Sequence, residues 1–350
     1  MSYYEVIKKY KDIDACPDEG LRALLSPEAG NDLELMAARA HEITLRHFGR
    51  TIQLYTPIYI SDHCDNACLY CGFNMDNDFR RKSLTLDEVR KEAEFIASTG
   101  LKHILVLTGD SRAMSPLGYI KDCVRILKGY FSSIAVEIFA LKEEEYRELA
   151  AEGIDGLTIY QETYDEELYE KLHPRGPKHD YLFRLDAPER GARAGFRSVN
   201  IGVLLGLNDW RKDVLLMGMH AKYLQDKYPD VEFSVSVPRI RPHSGDFRPK
   251  FSVSDRDLVQ IITALRIFLP RVGITVSTRE SRALRENILP LGVTKMSAGS
   301  TTSVGGHTKK ISAGQDIPQF EICDERDVSQ MKALLEKKGY QGVLKDWMSI

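Results

Sequence analysis

Residues 133–164 read SIAVEIFALKEEEYRELAAEGIDGLTIYQETY. The run at 133–139 is short, apolar and rich in β-branched residues, as a buried strand is, and 156–160 repeats that pattern. Between the two lies a helical stretch whose opening, Lys142 to Glu145, is a charge run suited to a solvated face. A strand followed by a helix and a second strand is the repeating unit of a parallel sheet.

Working outward, the same unit recurs from residue 51 onward. Further strand candidates lie at 53–60, 103–108, 199–205, 231–237, 273–278 and 294–297. Helical patterns separate them: one starts after Thr85, whose spacing to Glu88 is a capping box, and another runs through 209–227. About eight such units in succession predict an α/β fold, a (β/α)8 barrel of TIM type. A doubly wound open sheet is the alternative, but its Gly-x-Gly-x-x-Gly turn is absent after the first strand. Before the barrel, Ser26 can cap a helix, Pro27 suits its first turn, and Leu33, Met36, Ala37, Ala40 and Ile43 recur at helical spacing until Gly49. The expected organisation is an N-terminal helical prefix over 1–50, the barrel over 51–305, and a C-terminal segment, 306–350, packing on the barrel.

Composition narrows the function classes. With 43% hydrophobic and 28% charged residues in 350, the chain can bury a large core, which excludes general disorder. A net charge of -3 gives no field to attract a polyanion, so nucleic acid is not an expected partner. No window approaches the roughly 18 apolar residues of a membrane span, and the opening residues lack the apolar core of a signal peptide. A cytoplasmic protein is expected.

Of the six cysteines, Cys64, Cys68 and Cys71 fall in one short loop after the first strand. In a reducing compartment such crowding points to metal binding or catalysis rather than disulfides. Thiolates spaced by four and then three residues can hold three irons of a cubane and leave the fourth iron open. A structural zinc wants four closed ligands and would have to recruit His63 or a distant side chain. Cys16, Cys123 and Cys323 stand alone and read as plain thiols.

Active sites of TIM-type barrels sit where strands end. Here those ends carry the cysteine loop, Thr108-Gly109-Asp110, Glu137, Tyr160-Gln161-Glu162-Thr163-Tyr164, Pro238 to Pro242, Thr278-Arg279-Glu280, and Ser297 to Thr302. Seven polar sets on one rim favour a site.

The loop Cys64-Asp65-Asn66-Ala67-Cys68-Leu69-Tyr70-Cys71, with its aromatic residue before the third cysteine, resembles the radical S-adenosylmethionine (SAM) superfamily. The resemblance implies a [4Fe-4S] cluster on Cys64, Cys68 and Cys71, with SAM on the open iron. By the same resemblance Tyr70 packs near the adenine, and Thr108, Gly109 and Asp110 take the place of a Gly-Gly-Glu motif that grips the methionine amino group. Thr replaces the first Gly and Asp is one methylene shorter than Glu. Glu162 is implied to accept from the ribose hydroxyls and Arg184 to reach the methionine carboxylate.

Further stretches narrow the likeness: Leu54 to Ser61, Tyr70 to Phe73, Tyr160 to Tyr164, Gly176-Pro177-Lys178, Pro188-Glu189-Arg190, Ser277 to Glu280, Met296 to Ser300 and Lys345-Asp346-Trp347. Together they resemble the 2-iminoacetate synthase family, the tyrosine lyases of thiamine thiazole biosynthesis, over essentially the whole chain. That implies cleavage of the Cα–Cβ bond of L-tyrosine to 2-iminoacetate and 4-cresol, with thiazole synthase as acceptor partner and an external electron donor such as flavodoxin or ferredoxin. Gly305-Gly306-His307 departs from the pattern, which has Tyr after the glycines. A related tyrosine lyase that supplies carbon monoxide and cyanide for hydrogenase cofactor assembly carries a second cluster. Cys323 is the one cysteine past Cys123, so product release is expected instead.

An amino-acid pocket needs a carboxylate anchor, and Arg suits it because its planar fork grips both oxygens. Arg279 and Ser297, at the ends of the seventh and eighth strands, are the expected pair, and Arg239 and Arg241 are the rivals. Gly202 and Gly206, near the end of the fifth strand, could let a nucleoside approach the backbone. Arg80-Arg81-Lys82 reads as a solvated run, and His63, His173, His179 and His243 receive no role.

Overall fold

The computed structural model describes residues 19–308 and 318–345. Parallel strands β1 (Thr51–Ser61), β2 (His103–Thr108), β3 (Ser133–Glu137), β4 (Gly156–Glu162), β5 (Ser198–Val203), β6 (Glu232–Ser236), β7 (Gly273–Val276) and β8 (Lys295–Ser297) follow the eight expected runs. Each pairs with the next, and β1 pairs with both β8 and β2, so the sheet closes into a barrel. The expected (β/α)8 architecture is therefore the observed one.

Alternation along the strands decides where the core lies. Ile104, Val106, Ile134, Val136, Ile159, Val199, Ile201, Val235 and Ile274 are buried and apolar. The intervening positions face inward and are largely polar or aromatic: Tyr55, Tyr59, Glu137, Thr158, Tyr160, Asn200, Ser234, Ser236 and Thr275. The hydrophobic core is thus the layer between barrel and helices. The barrel interior holds two polar cavities, one of about 170 Å³ at the carboxyl ends of the strands and one of about 260 Å³ at their starts. Tyr55 and Tyr160 line both and form the floor between them.

Local signals set the helix starts. Thr85 accepts from Glu88 N and Glu88 returns the bond, so the helix Leu86–Ser98 opens on the expected capping box. Asp209 caps Trp210–Lys227 through Arg211 N. The prefix differs from its reading. The Ser26 hydroxyl accepts from Ala29 N, at 3.2 Å, a short turn follows at Ala29–Asp32, and the long helix begins at Leu33 and ends at Phe48. Gly30 and Asn31 are poor helix formers, and Gln260 holds the break open by donating to the Leu24 and Ser26 carbonyls. Buried Leu21, Leu25, Met36, Ala40 and Ile43 join the prefix to the barrel, and Phe48 lines the lower cavity.

The C-terminal segment does more than pack on the outside. Its strand β9 (Gln341–Val343) pairs in parallel with Thr51 to Gln53 of β1, and Lys102 N donates to Leu344 O just before β2. Residues 318–320 reach back across the barrel mouth. His307 does not line the upper cavity. Its backbone N–H bonds Glu92 and its Nε2 lies 2.8 Å from Pro57 O, which ties this segment to β1 and to the helix Leu86–Ser98.

Candidate active site

The cysteine loop leaves the end of β1 and is docked on three sides. Gly109 N donates to Ser61 O and Asp65 N to Asp110 O, joining the loop to the end of β2. Ala67 N and Leu69 N donate to the Arg175 and Leu172 carbonyls, and Gly72 N donates to Gln319 O. Glycine is required where these segments meet. A Cβ at Gly109 would lie 2.2 Å from His63 O, at Gly72 2.6 Å from Pro318 O, and at Gly176 2.4 Å from Asp65 O.

Cys64, Cys68 and Cys71 all line the upper cavity. Burial pushes each thiol up, Cys64 to about 11. Among the described residues no three His, Cys, Asp or Glu side chains close on one ion. A cubane has no such need, because each cysteine binds a different iron. Next to the loop, Asp110 Oδ2 accepts from Asn66 Nδ2 at 2.6 Å, while Asp110 Oδ1 and Thr108 Oγ1 are buried without a hydrogen-bond partner. Two orphaned buried oxygens beside three cysteine thiols suit a ligand that brings an amino group to an iron-sulfur cluster. The donor set therefore fits both cofactors.

Asn66 also fixes the next segment, since its Oδ1 accepts from Lys178 N at 2.8 Å. Lys178 Nζ bonds Glu162 Oε1 at 2.6 Å, with both side chains largely buried. Glu162 sits at a register shift between β4 and β5 and has φ 71, the one positive φ among the described non-glycine residues. Such strain aims a side chain and is held by surrounding contacts, here the Lys178 ammonium. Arg184 lines the same cavity and donates from Nε to Tyr160 O at 2.9 Å. Tyr70 is buried, and its hydroxyl lies 2.6 Å from His173 Nε2. His173 Nδ1 lies 2.7 Å from Tyr169 O, so that nitrogen donates and Nε2 accepts from Tyr70. Burial holds His173 well below the usual imidazole range, which keeps it neutral in this role.

Arg279, after β7, and Ser297, at the end of β8, line the same cavity. The Arg279 guanidinium stacks on the Phe320 ring, 3.3 Å from its centroid. Ser297 Oγ accepts from Thr278 N at 2.9 Å, and the backbone carbonyl of Ser297 is held by Arg285. Arg285 is itself paired with buried Asp324. The rival arginines point elsewhere: Arg239 pairs with Glu280 and Asp255, and Arg241 touches Cys323. Neither lines the cavity. Gly202 does not serve a nucleoside through its own position. A Cβ there would lie 2.6 Å from the Tyr160 ring and 2.8 Å from Ser236 O, so its bareness makes room for the cavity floor.

All eleven residues singled out from the sequence thus line or border one cavity. Lining residues without a role in that reading include Asn66, Glu137, Lys178, Tyr59, Tyr160, Gln319 and Phe320. Glu137 and Lys178 stood in strand-end or family-like stretches. Gln319, which accepts from Tyr59 OH at 2.8 Å, had no signal at all.

Comparison with known proteins matches residues 58–217 to the radical SAM superfamily and 236–341 to the biotin and thiamin synthesis associated domain. The 2-iminoacetate synthase of Escherichia coli (strain K12) is 39% identical over 332 residues, covering 95% of this chain and 87% of that protein. The chain belongs to the 2-iminoacetate synthase family of radical SAM enzymes. Its cofactors are accordingly a [4Fe-4S] cluster and SAM. The 2-iminoacetate synthase of Salmonella typhimurium (strain LT2) is 38% identical over the same length. In fold, the family member resembles HydG, a maturase of the [FeFe]-hydrogenase, with a TM-score of 0.87 and 34% identity, covering 97% of this chain and 75% of that one. Among the described residues no helix is long and apolar enough to cross a membrane.

Proposed function

We propose that this enzyme is a carbon-carbon lyase that cleaves the Cα–Cβ bond of L-tyrosine to 2-iminoacetate and 4-cresol for thiamine thiazole synthesis. The observation that carries the reading is a single chamber lined both by the cysteine loop with its orphaned acceptors and by Arg279 with Ser297. The identity to 2-iminoacetate synthases over nearly the whole chain supports it. When bound and reduced, the cluster and SAM supply a 5'-deoxyadenosyl radical that takes hydrogen from the substrate. The protein's share is placement. Asp110 and Thr108 receive the methionine amino group, Arg184 its carboxylate, and Glu162 the ribose hydroxyls. Arg279 grips the tyrosine carboxylate and Ser297 adds a hydroxyl. Tyr55 and Tyr160 close the floor, and Gln319 and Phe320 narrow the mouth, so that bulk water stays away from a reactive fragment.

Incubation of the anaerobically reconstituted protein with SAM, a reductant and tyrosine should release 5'-deoxyadenosine, 4-cresol and glyoxylate, the hydrolysis product of 2-iminoacetate. Deoxyadenosine without cresol would mean another substrate. The HydG likeness raises a second reading, further breakdown of the imine, which predicts carbon monoxide and cyanide in the same mixture. Thiazole synthase is the proposed acceptor, because an electrophilic imine hydrolyses when it diffuses freely. Flavodoxin or ferredoxin is the proposed electron donor, and the protein is placed in the cytoplasm. Anaerobic co-elution with thiazole synthase tests the first partner. Deleting the prefix is a poor probe of docking, since Met36, Ala40 and Ile43 are part of the buried packing.

A further inference from the structure

Among the described residues three carboxylates line the upper cavity. Asp110 is held by Asn66, and Glu162 is paired with Lys178. The third, Glu137, makes no side-chain hydrogen bond or ion pair among the described residues. Its place is central. Tyr59, Leu107 and Glu137 stand in register across β1, β2 and β3, and on β1 Tyr59 lies two inward-facing positions beyond Tyr55. Glu137 is half-buried and its side chain lines the cavity without a partner, so a ligand that enters there meets a free carboxylate.

What that ligand presents follows from the neighbours. Arg279 and Arg184 both line this cavity and both act electrostatically on Glu137, Arg279 the more strongly. A group that lies near the anchor of an α-carboxylate lies near the α-nitrogen, which is two bonds from the carboxylate carbon. We propose that Glu137 is the catalytic base that receives the α-ammonium group of the amino-acid substrate and takes one proton from it, leaving a neutral amine. This rests on the lyase reading above and deepens it. In the transfer one N–H bond breaks and leaves its electron pair on nitrogen, one O–H bond forms from a lone pair of Glu137, and no oxidation state changes. The charged pair becomes a neutral pair, which a desolvated cavity favours. The amine is then ready to lose a hydrogen atom, and its proton is stored within the same chamber.

The surroundings of Glu137 agree with this task. Burial first and the Glu162 charge second raise its carboxyl to about 7, against the lowering pull of Arg279, Arg184 and Lys178. Tyr55, Tyr59 and Tyr160 also face this region, and burial raises all three hydroxyls above their ordinary range, so they stay protonated through neutral pH.

The test uses reconstituted full-length protein and two ligands, L-tyrosine and 3-(4-hydroxyphenyl)propanoate, which lacks only the amine. Calorimetric titration should show that Glu137→Gln weakens tyrosine by about ten- to a hundredfold while the propanoate binds as before. The fall of tyrosine affinity in wild type as pH drops through about 7 should vanish in the variant. Glu137→Asp, which keeps the charge, should retain part of the preference for tyrosine, and it serves if Glu137→Gln loses its iron or its fold. Variants that hold full iron and still prefer tyrosine to the propanoate as wild type does would overturn the proposal. Wild-type protein that releases 4-cresol beside such indifferent variants leaves the lyase reading standing, whereas wild type that releases none brings down both.

Discussion

Replacing Gly109 by Ala tests how the cysteine loop is held. The new Cβ would sit 2.2 Å from His63 O, 2.7 Å from His63 C and 3.1 Å from Asp62 C, all of them backbone atoms. A carbon rests against a carbonyl oxygen at about 3.3 Å or more, so the two backbones must part by roughly 1 Å. They are tied on both sides of the contact, by Gly109 N to Ser61 O at 2.8 Å and by Asp65 N to Asp110 O at 2.9 Å. Parting them costs about 1–3 kcal/mol of overpacking strain and about 1 kcal/mol for a weakened hydrogen bond, so about 2–4 kcal/mol in all. Urea denaturation of the reduced apoprotein reads that loss as a lowered midpoint, and iron content after reconstitution reads the displaced loop. Gly118→Ala is the control, because nothing lies within 4 Å of its Cβ. A Gly109→Ala protein within about 0.5 kcal/mol of wild type and with full iron would refute the docking argument.

Asp324→Ala should destabilise by about 3–5 kcal/mol in thermal or urea unfolding, because it strands the fully buried Arg285 that also holds the Ser297 carbonyl. Arg279→Lys should weaken tyrosine binding in calorimetry while iron content stays at the wild-type level, since Lys keeps the charge but lacks the fork; unchanged affinity would move the anchor elsewhere. Asp213 accepts from Tyr164 N and Thr163 Oγ1, yet burial raises its carboxyl to about 7. Its folded pKa lies above the unfolded one, so the native state binds the extra proton and stability from this group falls as pH rises from about 4 to about 7. Asp213→Asn should flatten that decline in urea midpoints measured across the window, and an undiminished slope would assign it to other groups.

The strands were readable because each is a local run of alternating or continuous apolar residues, and burial between barrel and helices enforces that pattern on every one. Strand ends were read two residues too far at β3, β5 and β7 and one too far at β6, where the strand-like run of residues outlasts the pairing. The start of the prefix helix was misplaced because Ser26 and Pro27 are valid start signals that lost to a tertiary contact, the Gln260 amide bonding the carbonyls of the preceding turn.

By itself, then, the sequence determined the barrel, the cysteine loop and the strand-end rim, since each depends on spacing along the chain. Tertiary structure alone decided what stands idle and what is held. That Glu162 is paired and Glu137 is not depends on Lys178 arriving from a different loop. That Arg279, and not Arg239, faces the cavity depends on Glu280 and Asp255 capturing the latter. Gln319 bonds Tyr59 from 260 positions away. Such contacts join residues far apart in the chain, and no local period encodes them, because the energy that selects them exists only once the barrel has closed.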